Sequence, residues 1–127
     1  MRSLRVGARD LEHFEESGWL LLSGALSSQI EGLKAEIDRL ASEDGPWMSH
    51  HELVGTTRQI ARIEDFTPYS DLLAAALCSG VVRDAATSLL GEEALLYKEK
   101  VNFKLPGGAG FSPHPVSYTH LTLPTIL

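Results

Sequence analysis

A single cysteine, Cys78, in 127 residues rules out a disulfide closed within the chain, and nothing here demands an oxidising compartment. Runs of Lys and Arg are missing too. With 11 basic against 17 acidic residues and a net charge of −6, the chain lacks the clustered positive charge that nucleic acid or an anionic membrane needs in a main partner, so neither is expected. The opening MRSLRVGARDLEHF holds no apolar core of signal-peptide length. The apolar run nearest the N-terminus, residues 19–22, is far short of the ~20 residues that cross a bilayer. A cytoplasmic protein without a membrane span is the expectation. There is no internal repeat or low-complexity segment, and 43% hydrophobic with 22% charged residues fits one small domain or part of a larger one.

Residues 10–16 predict a short helix with Leu11 and Phe14 on one face, stopped by Gly18, and residues 19–22 a short buried strand. Ser28 with Glu31 three residues later has the form of a capping box. Ile30, Leu33, Ile37 and Leu40 then recur at helical spacing, which predicts a helix over 29–42. Asp44, Gly45 and Pro46 end it. Residues 47–57 follow neither period and predict a surface loop, and 59–63 a short strand. Residues 70–78 and 81–90 read as helices, with Gly91 placed to stop the second.

Over residues 95–104 the period becomes two. Tyr97, Val101 and Phe103 share one face with Glu99, while Lys98, Lys100, Asn102 and Lys104 share the other. Lysines on a surface strand simply sit in water. On the inside of a barrel they would instead be held partly out of water, where pairing with an anionic ligand, a small carboxylate above all, is their use. Pro106, Gly107, Gly108 and Gly110 follow as a loop that can approach a ligand closely. No GK[ST] follows, so a phosphate loop is not indicated. The loop leads to His114, which on its own reads as an ordinary half-buried histidine or a metal ligand.

The segments FEESGWLLLSGALSSQIEGLKAEIDRL, RIEDF, GVVRDAATSLLGEEALLYKEK and EKVNFKLPGGAGFSPH, in this order and spacing, resemble the phytanoyl-CoA dioxygenase family of Fe(II)- and 2-oxoglutarate-dependent oxygenases. The resemblance covers nearly everything from residue 11 to 114. It implies an α+β chain: the N-terminal helical part and first strands of a double-stranded β-helix, or jelly roll, truncated before most of its barrel strands. Residues 1–114 would be the N-terminal part of one oxygenase domain. By the same resemblance His114 takes the place of the first histidine of an HxD pair, part of the two-histidine, one-carboxylate set that holds iron. Lys104 matches a lysine that contacts the carboxylate of 2-oxoglutarate, and Arg62 falls where some members place another basic contact. Lys98 and Lys100 look onto the same interior and are candidates for substrate or co-substrate, and Asn102 is expected to order the strand.

The chain also departs from that pattern. Val116 stands where the family has aspartate, and an isopropyl group has no lone pair for a metal. His120 is six residues after His114, on the same face of a strand but roughly 20 Å away, so a bend would be needed for it to substitute. The second histidine and the arginine for the far carboxylate are expected downstream. Residues 115–125, PVSYTHLTLPT, resemble the in-frame translation of a sequencing-library adapter, so 115–127 is expected to be a non-native tail. The alternative is that residues 116–123 are a real strand.

The resemblance implies a parent enzyme that hydroxylates a small organic substrate with iron, 2-oxoglutarate and oxygen, its range spanning CoA thioesters, amino-acid derivatives, phosphonates and natural-product scaffolds. This chain is itself expected to be inactive, its metal site incomplete. The alternative is a non-catalytic jelly-roll binding module with Lys98, Lys100 and Lys104 as an anion pocket. A separate metal site at His50, His51 and Glu52 is disfavoured, because adjacent histidines point apart on any regular element; solvated loop residues or a substrate lid fit better. Cut from its barrel, the 95–104 strand has an unpaired edge, so the chain is expected to be unstable or aggregation-prone alone.

Overall fold

The computed structural model describes residues 5–110. His114, Val116, His120 and the 115–127 segment lie outside the described residues. Four α-helices and a three-stranded antiparallel sheet make up the rest: α1 (Ala8–Ser17), α2 (Ile30–Ser42), β1 (Met48–Val54), β2 (Thr57–Glu64), a 3-10 turn (Thr67–Tyr69), α3 (Asp71–Cys78), α4 (Gly80–Leu90) and β3 (Lys100–Asn102). Helices beside an antiparallel sheet agree with the α+β expectation.

The helix stops behave as their chemistry requires. Gly18 and Gly91 end α1 and α4 at φ 79 and 76, the left-handed geometry that glycine adopts without a Cβ clash. The predicted Ser28 capping box does not form. Residues 23–29 are successive turns, in which the amides of Ser27 and Gln29 bond to the carbonyls of Gly24 and Leu26. The helix therefore starts at Ile30, with Gln29 as its uncapped N-cap. Residues 19–22 are not a buried strand: they pair with no strand among the described residues, and Trp19 is 59% and Leu21 65% exposed. An apolar run becomes a strand only where a neighbouring strand takes up its amides and carbonyls.

The larger correction is at 47–57. Instead of a surface loop, Met48–Val54 is a strand that turns through Gly55 (φ 63) and Thr56 into β2. A two-residue turn with glycine first is a favoured hairpin connection. The predicted 59–63 strand is real and extends to Thr57–Glu64. Periodicity missed β1 because it is an edge strand whose two faces both mix polar and apolar side chains.

Register is broken between His50 and His51: His50 pairs with Arg62 but His51 with Ile60, which leaves Ala61 as an extra residue. This β-bulge turns Ile60 onto the same face as Ile63 although the two are three residues apart, and it places Gln59 on the face of Arg62 and Glu64. The apolar face then packs on the helices. Leu33 and Leu40 of α2, Ile63, Phe66, and Leu73 and Ala76 of α3 form the core with Trp47, flanked by Ile60, Val101 and Phe103. Leu40, Ile63 and Phe66 are fully enclosed, each contributing roughly 1.5–3 kcal/mol of apolar burial.

Ser70 joins α2 to α3. Its hydroxyl accepts the Leu73 amide as N-cap and donates to Glu36 Oε1 at 2.7 Å. Arg39 holds the same carboxylate through Nε and Nη2, reaches Glu43 through Nη1, and lies 5.9 Å from the centre of the Trp47 ring. Held first by Arg39 and then by Ser70, the Glu36 carboxyl drops to about 2.

By length and composition alone, Asp71–Leu90 is long and apolar enough to cross a membrane. It is not one helix. Ser79 is extended (φ −151, ψ 176) and Gly80 has φ 64, so α3 and α4 are separate segments packed against each other, and α3 buries Leu73 and Ala76 in the core.

Candidate functional site

The face of the sheet turned away from the helices collects the polar side chains. Cross-strand pairing puts His50 opposite Arg62 and Glu52 opposite Gln59, then Arg62 opposite Asn102 and Glu64 opposite Lys100. Paired residues in a ladder share a face. The face therefore carries His50 and Glu52 from β1, Gln59, Arg62 and Glu64 from β2, and Lys100 and Asn102 from β3. Lys104 follows two residues later in the same alternation, past Phe103, whose amide still bonds to the Ala61 carbonyl at 2.8 Å.

Of the residues singled out in the sequence, Arg62 and Lys100 are thus brought to one face, with Asn102 at the pairing position of Arg62; Lys104 lies past β3, outside the ladder. Lys98 is not on that face. It precedes β3, outside the ladder, and lines a cavity of about 540 Å³ between α2, α3 and the strand together with Lys34 and apolar side chains such as Leu33 and Ile37; Lys100 borders the same cavity, although it pairs opposite Glu64. Tyr97, expected on the apolar face, is 93% exposed, because the ladder begins only at Lys100. Glu99 does face inward: it accepts the Thr67 amide and hydroxyl at 2.9 Å each, tying the approach to β3 onto the 3-10 turn.

Glu64 is the centre of the polar face. Its Oε2 lies 3.0 Å from His50 Nε2 and 3.4 Å from Arg62 Nε. The first is a hydrogen bond; the second is close but lacks hydrogen-bond geometry, so Arg62 Nε is buried without a hydrogen-bond partner. Arg62 Nε is thus held in an ion pair with Glu64 without a hydrogen bond. Within the ladder two cations, Arg62 and Lys100, stand with two carboxylates, Glu52 and Glu64.

His50, His51 and Glu52 are strand residues, not loop residues. His50 and Glu52 share the polar face, while His51 points to the other and lies 3.2 Å from Arg58 through Nδ1. No three His, Cys, Asp or Glu side chains gather as a metal site among the described residues. The sequence reading missed Glu64, Gln59 and the role of Glu52, because which strands lie side by side, and the bulge that rephases β2, are properties of pairing. The one local hint was Gly107 and Gly108: close packing of a loop against something.

Comparison with known proteins agrees with a dioxygenase. Over 107 residues the chain is 35% identical to a 2-aminoethylphosphonate dioxygenase of the uncultured bacterium HF130_AEPn_1, covering 80% of this chain and 41% of that protein. It is 32% identical over 108 residues to a methylphosphonate hydroxylase of Gimesia maris, covering 82% and 42%. To the dioxygenase lolE1 of Epichloe uncinata it is 25% identical over 115 residues, covering 86% and 45%. The chain thus spans about two-fifths of the length of the curated relatives it matches. No family model matches the chain, and no solved structure matches it with significance. These relatives support a dioxygenase-type oxidoreductase family that acts on small substrates, without singling out the phytanoyl-CoA branch.

Proposed function

We propose that this chain is the N-terminal portion of an Fe(II)- and 2-oxoglutarate-dependent dioxygenase of the phytanoyl-CoA dioxygenase kind, a jelly roll that hydroxylates a small organic substrate. The observation that carries it is the cross-strand register, which sets Arg62, with its unsatisfied buried Nε, on one polar face with Lys100, in the alternation that reaches Lys104. On this reading Lys104 and Arg62 bind carboxylate oxygens of 2-oxoglutarate, and Lys100 borders the substrate. Two relatives are named for phosphonates, and a phosphonate, itself a compact oxyanion, is the substrate class that these cations favour.

The described residues fit the organic anion but not the metal, since no ligand group gathers among them. His114 is proposed as one iron ligand. With Val116 where a carboxylate is wanted, the 127-residue chain by itself is proposed not to complete the set. What these residues contribute is orientation: a charge-assisted hydrogen bond from a half-buried guanidinium fixes a carboxylate more firmly than water does, and closing the face would exclude water from it.

The test is a gene carrying this segment at its relatives' length, with the codons after His114 re-sequenced. Purified with Fe(II), it should convert 2-oxoglutarate to succinate faster when a phosphonate is present. If that protein binds neither iron nor 2-oxoglutarate, the proposal fails. Binding of anions to the Lys100 and Lys104 face without turnover would favour the non-catalytic module.

A further inference from the structure

Glu52 reaches from β1 into the glycine-rich segment that follows β3. Its Oε2 accepts the Ala109 amide at 3.1 Å, across 57 residues of sequence, and its Oε1 accepts from Gln59 Nε2 at 3.4 Å. The loop is shaped around this carboxylate. A Cβ on Gly108 would stand 2.5 Å from Glu52 Oε1, 3.0 Å from the Leu105 carbonyl and 3.2 Å from Gln59 Nε2. On Gly107, at φ 79, a Cβ would stand 2.7 Å from Val54 Cγ1. Both distances are shorter than real Cβ contacts allow: at Gly107 the short Val54 side chain and the positive φ call for glycine, while at Gly108 a Cβ would push the Glu52 carboxylate aside. Gly108 in addition closes a local bond to the Leu105 carbonyl at 3.0 Å.

An exposed glycine turn needs no such tether, because water satisfies its amides. Here a charged acceptor holds one, and bonds to charged acceptors are about twice as strong as neutral ones. We propose that Glu52 is a positioning residue: its carboxylate clamps the 105–110 loop onto β1 and β2 and so sets the approach of the chain to His114, five residues beyond Ala109. Only the last clause rests on the oxygenase reading.

The experiment uses the full-length protein and two readouts, amide hydrogen exchange and Fe(II) affinity under anaerobic conditions. Glu52→Ala should speed exchange at Ala109 about tenfold, the loss of one charge-assisted hydrogen bond, while amides of β2 keep their protection. Glu52→Gln, which retains an acceptor oxygen, should rescue most of it. Gly108→Ala should loosen the loop as well, yet add little in the Glu52→Ala background, where its clash with the carboxylate is gone. Fe(II) affinity should fall about tenfold in Glu52→Ala and much less in Glu52→Gln. Unchanged exchange at Ala109, or full additivity of the two substitutions, would overturn the clamp. Faster exchange with unchanged iron affinity would overturn the positioning role. If the wild-type protein binds no iron, the oxygenase reading fails, while the exchange arm still decides whether Glu52 holds the loop.

Discussion

The two faces of the three-stranded sheet share the same strands and differ in what completes them. On one, Ile60, Ile63, Val101 and Phe103 meet α2 and α3, and Ile63 is wholly enclosed. On the other, Glu64 bonds to His50 and lies against Arg62, and Glu52 bonds to Gln59 and the glycine loop. One face is closed by the helices within these residues, and the other is the side proposed above to bind an anion. The difference teaches that stability and function are separable here by side-chain parity: neighbouring residues such as Arg62 and Ile63 serve opposite ends.

Substitutions on each face test that separation. Ile63→Ala should cost the most, about 3 kcal/mol, through lost burial and the cavity left behind, read as a lower urea midpoint. Equal loss from Arg62→Ala would break the comparison. Arg62→Ala should instead leave folding within about 1 kcal/mol and weaken 2-oxoglutarate binding by the full-length protein roughly tenfold or more, measured as KM. The Ser70 junction gives a smaller effect within the closed side. Ser70→Ala should destabilise by about 1–2 kcal/mol, since it removes the α3 cap and a donor to Glu36.

Glu36 adds a pH signature to the same junction. Its carboxyl is held at about 2 against an ordinary 4.5, so the folded state binds that proton more weakly than the unfolded one. The stabilisation is therefore complete above pH 4.5 and is lost as pH falls towards about 2. Because the group is only half-buried and open to screening, Glu36→Gln should cost no more than about 1 kcal/mol at neutral pH and flatten this acid limb of the stability curve. Lys100→Ala should be the mildest, within about 0.5 kcal/mol on folding, its effect appearing only in ligand binding.

Much of the helical part was legible in the sequence, for reasons that are local. Gly18 and Gly91 carry cap chemistry, and Leu33, Ile37 and Leu40 carry the 3.6-residue period, so α2, α3 and α4 could be placed to within a residue or two. The lysine alternation of β3 was also readable, although only Lys100–Asn102 pairs. What failed was non-local. Residues 19–22 look like a strand but have no described neighbour, whereas Met48–Val54 looks like a loop but has one. That Arg62 shares a face with Lys100 depends on register, which no window of one strand contains. Val116 and His114, the residues on which the sequence argument turned, lie outside the described residues, and their roles remain proposals.

Ala61 carries a consequence beyond its own position. It acts like a dislocation in a crystal row: on either side the strand is regular, but the two sides are out of phase by one residue. Anyone planning mutations by counting every second residue along 57–64 would put Ile60 with Arg62 and Gln59 with Ile63, and so would aim a ligand-binding experiment at the core. Deleting Ala61 itself would instead remove the bulge, leaving Ile60 and Ile63 two apart on one face and both halves of β2 in phase.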